Sequence, residues 1–519
     1  MDYTWRGRRR EHNVDNQNTE QRTLYRHPLA AVAGATIIAG GFLFAVLLVF
    51  ELSSSGDNPY LAIGTFIAAP ALVILGLVLF GLSAWLQVRA ARREGKQVRF
   101  NLSIDMSDPL YVRNLWVFLG LCALLLVIVG YSGTRAFETM ESVTFCGEAC
   151  HAVMEPQYTT YQHSPHARVP CVDCHIGPGA DFWVRSKIDG TRQLVAVALD
   201  SYPRPIPTPV HNLRPAQATC EGCHWPSQFY GSKLVSRTYY RSDEENSPWS
   251  IQLLLQIGGD NPRVPAEGGI HWHMLGENAV EYEAADFKRQ TINWVKTVNR
   301  DGSTTVYHNQ DAEVESGPDN PAGEVRKFDC MDCHNRPSHI FLPPAVAINM
   351  ALRARHISPD LPYVREVGLG LLNDDYEDRE EAQKAIASGL HDYYKEDYPE
   401  VAASQQQAID KATDSLSEIY RENFFPEMKT DYRARENNLS HFVNDGCFRC
   451  HNDSMVDDQG NSLTHECTTC HLIVGQGPSE SVAELETDLT GLEFQHPEDI
   501  DEAWREELCT DCHTPDQGY

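Results

Sequence analysis

The sequence predicts a protein in two parts: three N-terminal transmembrane helices, then a larger exported part of short helices and loops with a small β insertion. Three apolar stretches without an internal charge predict the first part, at residues 28–50, 60–86 and 115–131. The first two are long enough to span a bilayer, and the third is just long enough. The second part is marked by cysteine, because fourteen of the fifteen cysteines lie in short motifs that also contain a His.

The motif Cys-x-x-Cys-His occurs six times, and a seventh copy has one extra residue between the cysteines. The longer copy is Cys146, Cys150 and His151; the others are Cys171, Cys174 and His175; Cys220, Cys223 and His224; Cys330, Cys333 and His334; Cys447, Cys450 and His451; Cys467, Cys470 and His471; and Cys509, Cys512 and His513. This is the pattern of c-type haem attachment. The two thiols form thioethers to the porphyrin, and the His becomes the proximal ligand of the iron.

Zinc sites, iron–sulfur clusters and disulfides are the alternatives, but none of them needs a His after every second Cys. The remaining cysteine, Cys122, lies in an apolar run and is interpreted as a packing residue. The sequence therefore predicts seven covalently bound haem c groups. The predicted fold class is a membrane-anchored multihaem c-type cytochrome, and because haem is attached in this way outside the cytoplasm, the motifs also indicate the compartment.

The distribution of Lys and Arg predicts the orientation in the membrane. Basic residues cluster before the first span and between the second and third, at Arg6, Arg8, Arg9, Arg10, Arg89, Arg92, Arg93, Lys96 and Arg99. The loop between the first two spans has none. Since cytoplasmic loops are rich in Lys and Arg, the N-terminus is expected in the cytoplasm and all seven motifs on the far side, which is the periplasm of a bacterial inner-membrane protein.

The net charge differs sharply between the two parts. Residues 1–113 carry a net charge of +3, and the remainder carries −32. A strongly acidic exported part favours basic redox partners and argues against nucleic acid. A salt-adapted or simply soluble surface is the alternative explanation.

The motifs and composition predict five segments. They are a cytoplasmic tail (1–27), a three-helix anchor in the lipid bilayer (28–137), a four-haem domain (138–344) with a β insertion at about 236–314, a helical connector (345–435) and a three-haem domain (436–519). In the insertion, Asp301-Gly302 between two β-rich runs is a hairpin signal. Helical periodicity supports the connector.

Each iron also needs a distal ligand or an open site. In the C-terminal group, three spare residues precede three motifs: His441, His465 and His496. Their number fits bis-His ligation, which gives lower potentials than His/Met ligation. The N-terminal group has more candidates than it needs: Met154, His163, His166, His211, His271, His273, His308 and His339. In His271-Trp-His273 one residue is expected to ligate and the other to pack, with His273 favoured, while His356 and His391 are interpreted as surface or packing residues.

The stretch from residue 146 to 339 resembles the NapC/NirT family of membrane-anchored quinol dehydrogenases, which includes NrfH and CymA. The matching features are the first motif with Met154 close behind, Ser164-Pro-His166 before Cys171-Val-Asp-Cys174-His175, and Cys330-Met-Asp-Cys333-His334 followed by His339. The fuller pattern is similar to the larger ImcH-type inner-membrane cytochromes, which have three spans and seven haems.

The resemblance implies roles for individual residues. In such relatives the first haem lies at the membrane surface beside the quinol site, and a Met after the motif can ligate it, a role that Met154 matches loosely because this motif is longer. His166 resembles the distal ligand of another haem, and His339 that of the second haem. A Lys and an acidic residue after the second motif line the quinol pocket, and Lys187 and Asp189 are the nearest candidates. An ordinary surface pair is the alternative for these two.

The function predicted from these features is quinol oxidation. Two electrons pass singly through the haems toward a soluble periplasmic cytochrome or an outer-membrane electron conduit, and the two protons of the quinol, expected to be menaquinol, need an acceptor such as Lys187, Asp189 or Glu155. Two other functions are considered. The protein could be a membrane anchor and electron wire fed by a partner subunit, or a terminal reductase, although no Cys-x-x-Cys-Lys motif is present.

Overall fold

The computed structural model describes residues 28–53, 61, 63–93, 109–177, 179–210, 215–225, 229, 231–258, 269–274, 279–298 and 302–516. The chain divides into two compact units, Met1–Phe145 and Cys146–Tyr519. The predicted cytoplasmic tail at residues 1–27 lies outside the described residues.

The first unit consists of three helices: α1 (Pro28–Ser53), α2 (Ala69–Arg93), which follows a π-helical turn at Gly64–Ala68, and α3 (Pro109–Glu141). Helices α1 and α2 pack closely because of glycine: a Cβ on Gly76 would come within 2.6 Å of the Ile37 side chain. Small residues allow this approach in membrane helices. Large apolar side chains such as Phe42 and Val78 are exposed, as expected for a lipid-facing surface.

Two segments among the described residues are long and apolar enough to cross a membrane, Pro28–Phe50 and Gly64–Ala90. The sequence predicts three. The third predicted span, residues 115–131, lies within the continuous helix α3. Many side chains of that stretch are outside the described set, so the structure supports two spans and the third remains a prediction.

The second unit contains eleven short or medium helices among its described residues. They are α4 (His151–Gln162), α5 (Cys171–His175), α6 (Ala180–Ala198), α7 (Ala216–Cys220), α8 (Cys330–Cys333), α9 (Pro344–Arg353), α10 (Val364–Asn373), α11 (Arg379–Asp397), α12 (Pro399–Ser404), α13 (Gln406–Asn423) and α14 (Cys509–Cys512). Short 3₁₀ turns lie at Ile270–Met274, Pro426–Met428, Gly446–Arg449, Cys467–Thr469, Val482–Glu484 and Ala503–Arg505.

Helices α9 to α13, the segment predicted as a helical connector, pack around an apolar cluster that also includes Val153 of α4 and Tyr240 of the neighbouring sheet. Ile348, Leu372, Ile386, Leu390 and Leu416 are fully buried in one apolar cluster. The capping Asp378 accepts a hydrogen bond from the backbone of Glu381 and starts α11. The segment therefore supplies the largest apolar core among the described residues of this unit.

Two antiparallel sheets complete the second unit. The first has the strand order β1 (Ser232–Tyr240), β2 (Pro248–Gln256), β8 (His471–Gly477) and β9 (Glu486–Leu492). The second has the order β6 (Glu324–Lys327), β3 (Ala279–Ala284), β4 (Ile292–Val298), β5 (Thr304–Asn309) and β7 (Met455–Asp457). The predicted hairpin is the β4–β5 pair, in which Val298 faces Thr304; the turn residues 299–301 lie outside the described residues.

The sheets extend beyond the predicted insertion at 236–314. Strand β2 pairs with β8, and β5 pairs with β7, so each sheet combines strands from the two segments predicted as separate haem domains. The structure therefore joins residues 146–519 into one unit. Strand pairing between segments about 200 residues apart leaves no local signal in the sequence, which explains the difference from the predicted division.

Candidate haem centres

Four of the five-residue motifs each form a single tight turn that brings their functional groups together. In the motifs that begin at Cys220, Cys330, Cys447 and Cys509, the backbone N–H of the motif His donates to the carbonyl oxygen of the first Cys at 2.7–3.0 Å. A capping box reinforces the turn of the fourth motif. The Asp329 carboxylate accepts a hydrogen bond from a backbone N–H inside the turn, and the Asp332 carboxylate accepts one from the backbone N–H of Asp329. The turn places both thiols and the imidazole on one short segment, as covalent haem attachment requires.

The first motif accommodates its extra residue by a different turn. Residues Phe145–Ala149 form a π-helical turn, which contains one more residue than an α-turn. Cys146 and Cys150 are thus separated by one helical turn, as the cysteines of the shorter motifs are. Gly147 is required for packing, because a Cβ there would lie 2.4 Å from the ring of Tyr158. The longer spacing is therefore compatible with a haem site.

We expect all seven motifs to carry covalent haem, the first included, because its π-turn compensates for the added residue. Mass spectrometry of the intact native protein would give the polypeptide plus seven haems. A Cys146→Ser, Cys150→Ser variant should have lost one haem and kept six. A native mass with six haems, unchanged in this variant, would contradict haem attachment at the first motif.

Five of the motif histidines face a second His across a gap of nearly constant width. The ring centres are separated by 6.3 Å for His175 and His339, and by 6.0 Å for His224 and His166, His451 and His273, His471 and His441, and His513 and His496. A metal–imidazole bond is about 2 Å long, so two imidazoles on opposite faces of one iron have ring centres about 6 Å apart. The pairs therefore fit bis-His haem iron.

Backbone carbonyls orient most of the distal histidines. The Nδ1 atoms of His166, His339, His273 and His496 lie 3.0, 3.0, 2.8 and 2.9 Å from the carbonyl oxygens of Pro337, Gln157, Ile270 and Glu498. A proton on Nδ1 leaves Nε2 as the free lone pair for a metal. Burial also lowers the pKa of His273 and of His339, the latter to about 4, which favours the neutral ligand form.

The fourth motif has His271 as its nearest distal candidate. The pKa of His334 is lowered by burial and by the neighbouring imidazoles of His271 and His224. Because His224 already faces His166, His271 is the remaining neighbour of His334. His271 has its Nδ1 3.2 Å from the carbonyl oxygen of Ile257. The structure thus places both His271 and His273 beside motif histidines, whereas the sequence predicts that only one of them ligates.

His465, predicted as a distal ligand, is placed differently. Its Nδ1 lies 2.5 Å from a carboxylate oxygen of Asp453, a contact that leaves Nε2 free for a metal. The three C-terminal motif histidines, however, face His273, His441 and His496. His273 reaches the fifth motif because the sheet pairing brings distant segments together.

The remaining N-terminal candidates have other partners or lie outside the description. His163 lies 3.3 Å from the carboxylate of Glu422, and His308 has its Nδ1 3.2 Å from the carbonyl oxygen of Ser316. His211 lies outside the described residues. At the first motif the His151 side chain is likewise not described, and Met154 is half-buried in the first turn of α4.

The cysteines place the first four motifs next to each other in sequence order. The thiols of Cys146 and Cys171 hydrogen-bond, which raises the pKa of Cys146 and lowers that of Cys171 to about 7. Burial and the nearby Cys220 thiol raise the pKa of Cys174. Cys220 in turn hydrogen-bonds with Cys330, which lowers the pKa of Cys220 to about 7.

The same order continues through the last four motifs. Burial and the neighbouring Cys447 thiol raise the pKa of Cys333 to about 12 and that of Cys470 to about 11. Burial and the Cys467 thiol raise the pKa of Cys509 to about 11. The seven motifs therefore follow one another in space as they do in sequence, an arrangement suited to passing electrons between neighbouring haems.

The three predicted proton-handling residues have different surroundings. Lys187 lies on α6 with its Nζ 5.3 Å from the ring centre of Trp183, and its charge acts on Cys146. Asp189 is half-buried on the same helix, but residues i and i+2 do not share a helix face. Glu155 lies 2.5 Å from the Arg379 guanidinium, so its carboxylate is already paired. Of the three, Lys187 has the described contact with the first motif.

Comparison with known proteins identifies relatives of this arrangement. The NapC/NirT cytochrome c family, N-terminal region, matches residues 111–205. The chain is 39% identical over 480 residues, 92% of each chain, to the cytochrome c-type protein ImcH of Geobacter sulfurreducens. It is 38% identical over 78 residues, 14% of this chain and 44% of the relative, to the cytochrome c-type protein NrfH of Wolinella succinogenes. No solved structure matches the chain.

The relatives, the apolar helices of the first unit and the haem-binding motifs all indicate a membrane-anchored cytochrome c. The similarity to ImcH extends over 92% of this chain. The predicted recognition is thereby confirmed, together with a membrane anchor, covalently bound haem c and a role in electron transfer. This chain belongs to the NapC/NirT family of multihaem cytochromes c, and within it is similar to ImcH.

Proposed function

We propose that this protein is a quinol dehydrogenase of a bacterial inner membrane that relays electrons through seven haems to a periplasmic acceptor. The observation that carries the proposal is the position of Lys187 beside Cys146. The first motif follows the last predicted span by about fifteen residues, a short tether. A quinol at the membrane surface would therefore meet this motif before any other.

Haem, when bound, supplies one-electron redox chemistry, and the protein supplies orientation and proton handling. The half-buried Lys187 side chain, held over the Trp183 ring, can donate a hydrogen bond to a quinol oxygen and stabilise negative charge as the quinol loses its protons. Asp189 points to another side of α6 and is better suited to passing a proton to solvent than to sharing the quinol with Lys187. Glu155 is less suited to accept a proton because Arg379 neutralises it.

The order of the motifs supports an exit at the far end of the series. The seventh motif lies near a segment rich in carboxylates, since residues 480–507 contain eleven Asp and Glu. A negatively charged exit favours a basic partner, such as a soluble periplasmic cytochrome or the periplasmic side of an outer-membrane conduit. Menaquinol, as in the prediction from sequence, is the proposed donor.

Replacing Lys187 with Met is expected to slow reduction of the haems by a menaquinol analogue by about 10-fold or more, because the hydrogen bond that Lys187 would donate to the quinol oxygen is lost. Lys187→Arg should restore part of the rate. The matched control is Arg185→Gln, an exposed residue two positions away on the same helix. Haem content and reduction by dithionite should be unchanged in all three variants.

Two outcomes would count against quinol oxidation at this site. If the purified parent protein is not reduced by quinol analogues, while dithionite reduces it fully, electrons must come from a partner subunit and the anchor-and-wire function is favoured. If the parent is reduced but Lys187→Met reacts at the parental rate, quinol reacts elsewhere on the protein.

A further inference from the structure

Two arginines, the buried Arg435 and the half-buried Arg336, converge on one hydroxyl group. Arg336 Nη2 and Arg435 Nη1 donate to Thr208 Oγ1 at 3.2 and 2.9 Å. Arg336 also donates through Nε to the backbone carbonyl of Glu436 at 3.3 Å. Arg435 is only 3% exposed, and its Nε and Nη2 are buried without a hydrogen-bond acceptor among the described residues.

The pair has no buried counterion in the described part of the chain. Neither guanidinium forms an ion pair with a described carboxylate, and the nearby Glu436 carboxylate is paired with Lys288 at 2.6 Å. Placing two like charges side by side with one of them buried is unfavourable unless an opposite charge is present. The two unpaired nitrogens of Arg435, Nε and Nη2, also need an acceptor. Both requirements point to an anion with oxygen acceptors.

The two arginines lie beside the imidazole pair of the second motif. His339 faces His175 with ring centres 6.3 Å apart, and Arg336 lies three residues before His339 in the chain. The charges of Arg336 and Arg435 both act on the His339 imidazole. A haem held between these two imidazoles carries two propionate carboxylates on its edge. Guanidinium groups match carboxylates in charge and in geometry.

We propose that Arg336 and Arg435 form the binding site for a propionate of the haem held between His175 and His339. The inference rests on haem occupancy of the second motif within the proposed function, but not on quinol oxidation. Neutralising the propionate removes a negative charge that would stabilise ferric iron. The arginine pair therefore raises the potential of this haem and makes it a better acceptor for electrons from the first motif.

Equilibrium redox titration of the full-length, haem-loaded protein tests this site without any quinol. Arg435→Gln and Arg336→Gln should each lower the midpoint of one and the same haem component. The expected change is about ten-fold in its reduction equilibrium, which is about 59 mV for a one-electron couple. Arg435→Lys, which keeps the charge but not the fork of donors, should shift it less. Arg353→Gln, an exposed arginine on α9, is the control and should shift nothing.

The outcomes separate the proposal from its alternatives. If both Gln variants keep all haems and titrate as the parent does, the arginines have only a structural role and the proposal is wrong. If phosphate, titrated into the parent protein at constant ionic strength, moves the same component, a diffusible anion occupies the site instead. If one Gln variant does not fold, the other Gln variant and Arg435→Lys still decide. A failure of quinol oxidation would leave these potentials unchanged.

Discussion

Removing the haem of the fourth motif is expected to divide the protein into two electron-transfer segments. In a Cys330→Ser, Cys333→Ser variant, a quinol analogue should reduce the haems of the first three motifs at the parental rate. The haems of the last three motifs should stay oxidised during turnover. This is one of the two largest effects that we expect, because it stops the proposed relay to the acceptor altogether.

The reason is the position of this motif in the series. Cys330 hydrogen-bonds with Cys220 of the third motif, and Cys333 lies beside the thiols of Cys447 and Cys450 in the fifth. Among the described residues, the fourth is the motif of the first group whose thiols lie beside thiols of the second group. Electron tunnelling falls exponentially with distance, so a gap of one haem should interrupt the relay.

The measurement is stopped-flow reduction of the variant by quinol and, separately, by dithionite, which reaches exposed haems directly. Dithionite should reduce all six remaining haems. The matched control is Cys509→Ser with Cys512→Ser, which removes the haem at the end of the series and should leave six haems reducible by quinol. Fast reduction of all six haems in the Cys330 variant would show that the relay is branched.

The parts of this arrangement that follow from local sequence could be predicted. Covalent attachment depends on residues within one turn, so the spacing of the motif at Cys171 or Cys330 is enough to predict a haem site. The same holds for the apolar helix Pro28–Ser53 and for the β4–β5 hairpin, since each is determined by a short run of residues. The helices of the 345–435 segment are also predicted by periodicity, although their packing around one large apolar cluster is not.

Long-range pairing could not be predicted in the same way. A distal ligand can come from any segment that the fold brings to the open face of an iron. The local sequence does not show which His lies close to which motif. His465 precedes the sixth motif by two residues, yet it contacts Asp453, while His441 from further upstream faces His471. Proximity in sequence was therefore a poor guide to ligation.

The paired arginines illustrate a second limit. Arg435 lies in a segment that reads as charged and exposed, but it is buried beside Arg336, about 100 residues earlier in the chain. It is marked as an anion site because no carboxylate partner lies beside it among the described residues. To predict the anion site from the sequence, one would need to know which charged side chains pair in the folded protein.

Separate replacement of His271 and of His273 is expected to remove the distal ligand from two different haems. His273 faces His451 of the fifth motif at 6.0 Å, and His271 lies beside His334 of the fourth. Each single Ala variant should therefore convert one low-spin haem to high spin, and the double variant should convert two. Loss of an imidazole ligand should also raise the potential of the affected haem, because the second imidazole favours ferric iron.

The geometry of the segment explains how two histidines only two positions apart can ligate two different irons. Ile270–Met274 is a 3₁₀ turn with three residues per turn, so residues two apart project in different directions. Trp272 lies between them and packs against the apolar cluster of the five-stranded sheet, which fixes the turn. Phe229 lies 4.7 Å from His271, and Phe328 lies 5.2 Å from His273, so each ring has its own packing partner.

Electron paramagnetic resonance and visible spectra of the oxidised variants would count the high-spin haems. Two controls are available: His308→Ala, on a His that contacts a backbone carbonyl in the sheet, and His465→Ala, on the His that contacts Asp453. Neither should produce a high-spin haem. If only His273→Ala changes the spectrum, the expectation from sequence that one residue ligates and the other packs is correct. If His465→Ala opens a haem, the pairing of the C-terminal motifs must be reassigned, because His465 would then occupy a position that the structure gives to His273, His441 or His496.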